Sequence, residues 1–323
     1  MSPFRRRGVS LRLAVTDRCC LRCLYCKPAE GIPLLPRSDL LRFEEMVRVA
    51  RVLDRHVGLA GVRLTGGDPL QRRDLVELVR MLAALRPADL ALTTNGQRLA
   101  PLAAALKTAG LRRINVSLDS LDPDTFRTLT RGGALGATLD GIAAACRAGL
   151  APVKLNVTVL RGVNDREVVN LARFGLRRGC QVRFLELMPI GVAAAKHRAW
   201  FVPAEEVRAR LRAAFDLRPL PYTAGATSRN VAARDADGLS GVLGFIAPMS
   251  APFCAGCRRL RLTPTGRLLG CLARPEGADL RPLLREPAPA GEAELVKAVR
   301  RALAVKRKGR RFADQRPMAT VGG

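Results

Sequence analysis

Between Val9 and Glu186 six short β-rich runs alternate with longer helical runs, and this rhythm restricts the fold more than any other feature of the sequence. Strands are read over 11–16, 61–65, 90–94, 114–118, 154–160 and 182–187, and helices over 43–57, 74–85, 99–109, 137–148 and 167–178. Successive strands joined through helices run parallel, with right-handed crossovers. The expected class is therefore α/β. Polar, Gly-rich and Cys-rich residues fall just beyond the C-terminal ends of the strands, where barrels and open α/β sheets build their sites. No GxGxxG follows the first strand, which speaks against a dinucleotide site.

The rhythm stops after Pro189. Residues 191–199 read as a small-residue linker, 203–214 as a helix, and 216–270 as short strand-like pieces parted by Gly and Pro, suggesting an antiparallel subdomain. A helix over 291–305, a basic run over 306–311 read as a solvated helix end, and a tail ending Gly322-Gly323 follow. Two units are expected, 1–190 and 191–323, in a chain of 323 residues. Such a length buries roughly three quarters of its unfolded surface.

With 55 basic and 28 acidic residues the net charge is +27, a field that favours anionic partners. Seven of the basic residues are lysine, and the arginines are spread along the chain rather than gathered in a tail. Aromatic residues make up 4%, which leaves few platforms for stacked bases. The charge is read as arginine on solvated faces, with no nucleic-acid partner expected. No apolar run reaches the roughly 20 residues of a membrane helix, and no signal-type segment follows Met1–Gly8. A cytoplasmic protein with no membrane partner is expected, and there cysteine clusters point to metal or catalysis rather than disulfides.

Six of the nine cysteines form two groups of three. Cys19, Cys23 and Cys26 give C-x3-C-x2-C directly after the first strand, and Cys254, Cys257 and Cys271 give C-x2-C followed by a third after thirteen residues. Three thiolates on a 4Fe-4S cubane leave one iron open for an exchangeable ligand. Zinc is the alternative, but it closes its structural sites with four ligands, and the two histidines, His56 and His197, lie in neither group. Cys146 and Cys180 read as small buried hydrophobes. Arg12, Arg63, Lys154 and Arg183 each interrupt an otherwise apolar strand, so they either face a polar interior or carry a burial penalty. Four cations in one interior need an anion.

The spacing of the first cysteine group resembles that of the radical S-adenosylmethionine enzymes. Gly66-Gly67-Asp68-Pro69, at the end of the second strand, is similar to their Gly-Gly-Glu-Pro motif, with Asp68 in the glutamate position. Further stretches narrow the likeness: Val15-Thr16-Asp17-Arg18-Cys19, Thr93-Thr94-Asn95-Gly96, Asn115-Val116-Ser117-Leu118-Asp119, Gly162-Val163-Asn164-Asp165, Phe184-Leu185-Glu186-Leu187-Met188-Pro189, Pro252-Phe253-Cys254-Ala255-Gly256-Cys257 and the final Gly322-Gly323. Nearly end to end, the chain resembles the GTP 3',8-cyclase family, which acts first in molybdenum-cofactor biosynthesis.

The resemblance implies an incomplete (β/α)6 TIM-type barrel closed by a C-terminal α+β subdomain. It also implies two 4Fe-4S clusters, S-adenosylmethionine as cosubstrate and GTP as substrate. In the implied reaction a 5'-deoxyadenosyl radical removes the ribose 3' hydrogen of GTP, and the carbon radical adds to C8 of the guanine. Tyr25, Gly67, Ser117 and Met188 match cosubstrate contacts. Arg12, Arg63, Thr94, Lys154, Arg183 and the Arg259-Leu260-Arg261 stretch match GTP contacts, and Gly322 and Gly323 are implied to reach the reacting centre. Gly61 and Arg258 depart from the family, which often has lysine and asparagine there. An electron donor such as flavodoxin or ferredoxin and a downstream cyclic pyranopterin monophosphate synthase are implied partners, with a homodimer left open. Two rival readings remain: a peptide-modifying radical enzyme with an auxiliary cluster, and a basic zinc-ribbon protein that binds nucleic acid.

Overall fold

A computed structural model of the chain describes residues 8–223, 225–274, 276–286 and 290–306. The sheet's first strand, β1 (Val9–Ala14), is followed by α1 (Phe43–Val57), β2 (Leu59–Thr65), α2 (Leu75–Ala83), β3 (Leu90–Thr94) and α3 (Ala103–Thr108). Next come β4 (Arg113–Ser117), α4 (Pro123–Thr130), α5 (Leu135–Arg147), β5 (Val153–Thr158), α6 (Val168–Arg177) and β6 (Gln181–Leu185). These six strands pair in sequence order, each parallel to the next.

Two features depart from the expected elements. Most of residues 191–199, read as a linker, belongs to α7 (Ala193–Trp200). Their small residues are mostly alanine, the strongest helix former, so smallness alone was a poor sign of a loop. The sequence reading also missed α4, although Asp122 caps it by accepting from the Thr125 amide at 2.8 Å, with Pro123 in the first turn.

After α8 (Ala204–Arg212) come β7 (Asp216–Pro219), β8 (Arg229–Arg234), β9 (Ser240–Ile246), β10 (Arg259–Leu262), β11 (Arg267–Leu269) and β12 (Gly277–Asp279), then α9 (Arg281–Arg285) and α10 (Ala290–Val305). The strands β7, β8 and β9 pair antiparallel, as do β10, β11 and β12. Yet β9 joins β6 in parallel and β10 joins β1 in parallel, so the C-terminal strands extend both ends of one 12-stranded sheet. Among the described residues no helix is long and apolar enough to cross a membrane.

Successive strand side chains point to opposite faces. Leu11, Leu13, Val62, Leu64, Leu92, Ile114, Val116, Leu155, Val157, Val182 and Phe184 are buried in one core with Met46, Ala50 and Leu53 of α1, Leu78 and Leu82 of α2 and Leu171 and Ala172 of α6. The residues between them form the second face. They include Arg12, Arg63, Asn115, Ser117, Asn156, Thr158 and Arg183. A strand buried between two apolar layers would read as a continuous hydrophobic run; the polar residues at every second position mark a face turned toward a polar interior.

Candidate active site

A cavity of about 360 Å³ opens at the C-terminal ends of the strands, and both cysteine triads line it. The loop after β1 that carries the first triad is closed locally: the Cys26 and Lys27 amides donate to the Cys23 carbonyl at 2.9 and 3.1 Å. Cys19 Sγ accepts from the Leu21 amide at 3.4 Å and from Asn95 Nδ2 at 3.5 Å. Burial, with Cys26 and Asp119 close by, pushes the Cys23 thiol up. Thiols packed in this way are favourable as thiolates only beside a positive group.

Gly66 and Gly67 seat the end of β2 directly on this loop. The Gly67 amide donates to the Thr16 carbonyl and that of Asp68 to the Arg18 carbonyl, both at 2.7 Å. A Cβ on Gly66 would meet the Thr16 carbonyl oxygen and one on Gly67 that of Arg18, and Gly66 holds φ +148°. Asp68 is fully engaged despite its short side chain: its carboxylate accepts from the Leu70 amide at 2.9 Å and from Thr94 Oγ1 and the Asn95 amide at 2.7 Å each. The Thr94 hydroxyl, expected to face substrate, thus donates to Asp68, although Thr94 does line the cavity.

Tyr25, Gly67, Ser117 and Met188 line the same cavity. Tyr25 donates its hydroxyl to Asp119 Oδ2 at 2.6 Å, and the Thr158 amide donates to Asp119 Oδ1 at 2.7 Å. Burial raises the Asp119 carboxyl to about 6. The sequence reading gave no role to Asp119 or to Glu186, two buried carboxylates that order the cavity rim. Glu186 accepts from the Ala204 amide at 2.9 Å, from the Met249 and Ser250 amides at 2.9 and 3.0 Å, and from the Ser250 hydroxyl. Charged residues at the ends of apolar strands were the available signal.

The cations meet through strand register. Arg12 on β1 stands opposite Arg63 on β2 and, on its other side, opposite Arg261 on β10, so three guanidinium groups lie abreast on one face. Arg259, two residues before Arg261, stacks over the Phe253 ring at 4.7 Å. On β6, Arg183 donates from Nη2 to the side-chain oxygens of Asn115 and Asn156 at 2.7 Å each. Burial and the neighbouring arginines depress these groups: Arg12 lies well below the ordinary guanidinium range, Arg63 and Arg261 near 10 and Arg183 near 9. Lys154 is drawn down to about 8 by burial and by Arg183, Arg113 and Arg63. Arg63 Nε and Arg183 Nε are buried with no hydrogen-bond partner among the described residues.

Arg12, Arg63, Arg183, Arg259 and Arg261 line the cavity; Lys154, on the same face of β5 as Asn156 and Thr158, lies beyond it and acts through its field. Leu260 is buried on the opposite, core face of β10. Gly61, where the family often has a lysine, has no room for a side chain, since a Cβ would meet the Asp89 carbonyl oxygen at 2.7 Å. Asp89 in turn accepts from Arg113 Nε at 2.7 Å.

Cys254, Cys257 and Cys271 occupy the β10–β11 side of the cavity with Lys306, which the sequence read as part of a solvated helix end but which turns into the cavity instead. Lys306 Nζ donates to Cys257 Sγ at 3.4 Å and to the Gly270 carbonyl at 2.6 Å. Neither triad is gathered at ligating distance among the described residues. The donor chemistry nevertheless fits iron–sulfur clusters: each set is all-thiol, and N–H groups of Asn95 and Lys306 already point at sulfur. Gly322 and Gly323 lie outside the described residues.

Thiols on two walls of a cavity, with cations on the strands between them, place the chain among radical S-adenosylmethionine enzymes, and residues 13–175 match the family model for the Radical SAM superfamily. Residues 180–312 match that for Molybdenum Cofactor Synthesis C. The chain is 45% identical to a GTP 3',8-cyclase of Moorella thermoacetica, over 99% of each chain. It is likewise 45% identical to one of Geobacter sulfurreducens, over 95% of this chain and 92% of that one. The chain belongs to the GTP 3',8-cyclase family. A crystal structure of SuiB from Streptococcus suis bound to the precursor peptide SuiA is similar in fold, with a TM-score of 0.58 at 14% identity over 87% of this chain and 65% of that one.

Proposed function

We propose that this chain is the enzyme that converts GTP to 3',8-cyclo-7,8-dihydro-GTP, the first step of molybdenum-cofactor biosynthesis. Family membership supports the reaction, and one observation in the cavity carries it: the row Arg261–Arg12–Arg63. Like charges directly opposite across strands destabilise a sheet, so three in register are a standing cost that a polyanion removes. Guanidinium forks bind phosphate oxygens bidentately, and the triphosphate of GTP supplies them.

Cys19, Cys23 and Cys26 would hold one 4Fe-4S cluster, and Cys254, Cys257 and Cys271 a second; bound S-adenosylmethionine at the first supplies, on one-electron reduction, the radical chemistry. The chain's own residues position the reactants. Tyr25, Gly67, Ser117 and Met188 border the cosubstrate, with Tyr25 fixed by Asp119. Arg12, Arg63, Arg183, Arg259 and Arg261 would hold the triphosphate in the cavity that both triads line. Lys154 adds positive field, Leu260 supports β10 from the core side, and Thr94 acts through Asp68. Gly322 and Gly323 keep the role the resemblance implies, completing the site at the reacting centre.

The six βα units are read as an incomplete (β/α)6 barrel over 1–190, closed by 191–323; the parallel joins of β10 to β1 and of β9 to β6 support this. A cytoplasmic setting with a flavodoxin- or ferredoxin-type donor and a downstream cyclic pyranopterin monophosphate synthase follows from the reaction. The test is anaerobic incubation of cluster-reconstituted protein with GTP, S-adenosylmethionine and dithionite. Formation of 5'-deoxyadenosine together with a cyclised nucleotide is expected; 5'-deoxyadenosine without any change to GTP would defeat the substrate assignment.

A further inference from the structure

Besides Cys20, which adjoins Cys19 in the first loop, two cysteines lie outside both triads. Cys180 is buried in the main core, as its sequence context suggested, but Cys146 is exposed, contrary to that reading. Helix periodicity placed Cys146 among alanines, and its position in the last turn of α5 turns the thiol toward solvent. The two sulfurs are 3.9 Å apart, and both sit against the Arg178 carbonyl, at 3.9 Å from Cys146 and 3.7 Å from Cys180.

The backbone fixes this meeting. Helix α5 is followed by Gly149, with φ +68°, and α6 by Gly179, with φ +67°. The Gly149 amide donates to the Cys146 carbonyl at 3.0 Å, and the Cys180 amide to the Gly175 carbonyl at 2.9 Å. Two neighbouring βα units thus finish their helices side by side, with one cysteine at each finish. Both positions precede a strand, β5 or β6, so the pair lies at the N-terminal end of the sheet, opposite the cavity.

The geometry points to Cys146 and Cys180 as a redox-active dithiol, a covalent modification site separate from the clusters that closes to a disulfide by exchange with a low-molecular-weight disulfide. A sulfur–sulfur bond is about 2.05 Å long, so closure asks for a movement of under about 2 Å, within reach of side-chain rotation. The exposed Cys146 attacks first. Its thiolate is favoured by the hydrogen bond from the Cys180 thiol and by Arg178 and Arg147, and Arg178 is held in place over the Phe174 ring at 3.8 Å. Cys146 sulfur bonds to one sulfur of the reagent and releases the other half as a thiol. Cys180 sulfur then attacks Cys146 sulfur and releases the second half. Two protein thiols are oxidised, one external disulfide is reduced to two thiols, and the two protein protons end on those thiols.

The test uses the cluster-reconstituted holoenzyme, incubated anaerobically with oxidised glutathione, then alkylated after unfolding and mapped by peptide mass. The expected product joins the peptides carrying Cys146 and Cys180 and is two hydrogens lighter than its reduced parts. In Cys180→Ser, which lacks the resolving thiol, a glutathione adduct on Cys146 should accumulate about tenfold above the wild-type level. Wild-type protein that stops at that adduct, that links either cysteine to another partner, or that leaves both thiols open to alkylation overturns the proposal. The wild-type peptide map decides the question by itself, and its assignment by residue keeps cluster cysteines apart from this pair.

Discussion

Asp68 stands where the family's Gly-Gly-Glu-Pro motif has a longer acid, and the fold has taken up the difference by bringing three donors to it: the amides of Leu70 and Asn95 and the Thr94 hydroxyl. Those bonds join the β2 and β3 ends beside the cysteine loop. Asp68→Ala should destabilise the protein by about 2–4 kcal/mol, because buried donors lose a charged acceptor; the chemical-denaturation midpoint checks this. Arg63→Met should act in the other direction. Its Nε is buried and unpartnered among the described residues and its neighbour in register is Arg12, so replacing it by an apolar side chain should stabilise the free protein by about 1–4 kcal/mol. The same change should weaken GTP binding by a factor on the order of ten to a hundred, as for loss of a charged hydrogen bond. A free protein that is less stable, or an unchanged GTP affinity in calorimetry, would contradict a site strained toward an anion.

At the scale of elements, sequence pattern located what local chemistry controls. Helix α1 begins and ends where its periodicity puts it, and the basic residues inside strands announced the polar face because apolar neighbours at alternate positions left no other reading. The partners of β9 and β10 were not legible. Nothing local in Arg259-Leu260-Arg261-Leu262 says that it pairs with β1 rather than only with β11, since that choice rests on contacts some 250 residues away in sequence. Yet this join puts Arg261 beside Arg12. Lys154 on β5 gives the pH signature of the same field. Its folded pKa of about 8 lies below the ordinary 10.5, so the buried ammonium opposes folding in full below about 8, and that penalty fades between about 8 and 10.5 and is gone above it. For an anionic ligand the sign reverses: GTP affinity should fall as the pH rises from 7 to 9, with a midpoint near 8 that Lys154→Met removes. Titration calorimetry across this range checks it, and an identical profile in the variant would assign the midpoint elsewhere.

Across the whole molecule, the two cysteine triads are 228 residues apart at their nearest, Cys26 to Cys254, and border one cavity because β1 and β10 are neighbours in the sheet. The division of labour follows from what surrounds each set. Tyr25, Gly67, Ser117 and Met188 cluster with the first triad's loop and the strand ends beyond it, while Arg259, Arg261 and Lys306 accompany the second. Loss of one second-triad ligand should therefore disturb the substrate more than the cosubstrate. Cys257→Ser is expected to retain about four of about eight irons and to go on forming 5'-deoxyadenosine from S-adenosylmethionine, while cyclised nucleotide falls by at least about tenfold. Cys23→Ser should lose both products. Iron analysis and chromatography of the two products from one anaerobic reaction separate these outcomes. A Cys257→Ser protein that loses 5'-deoxyadenosine in step with cyclised nucleotide would mean that the far wall of the cavity serves cleavage of the cosubstrate rather than the handling of the nucleotide.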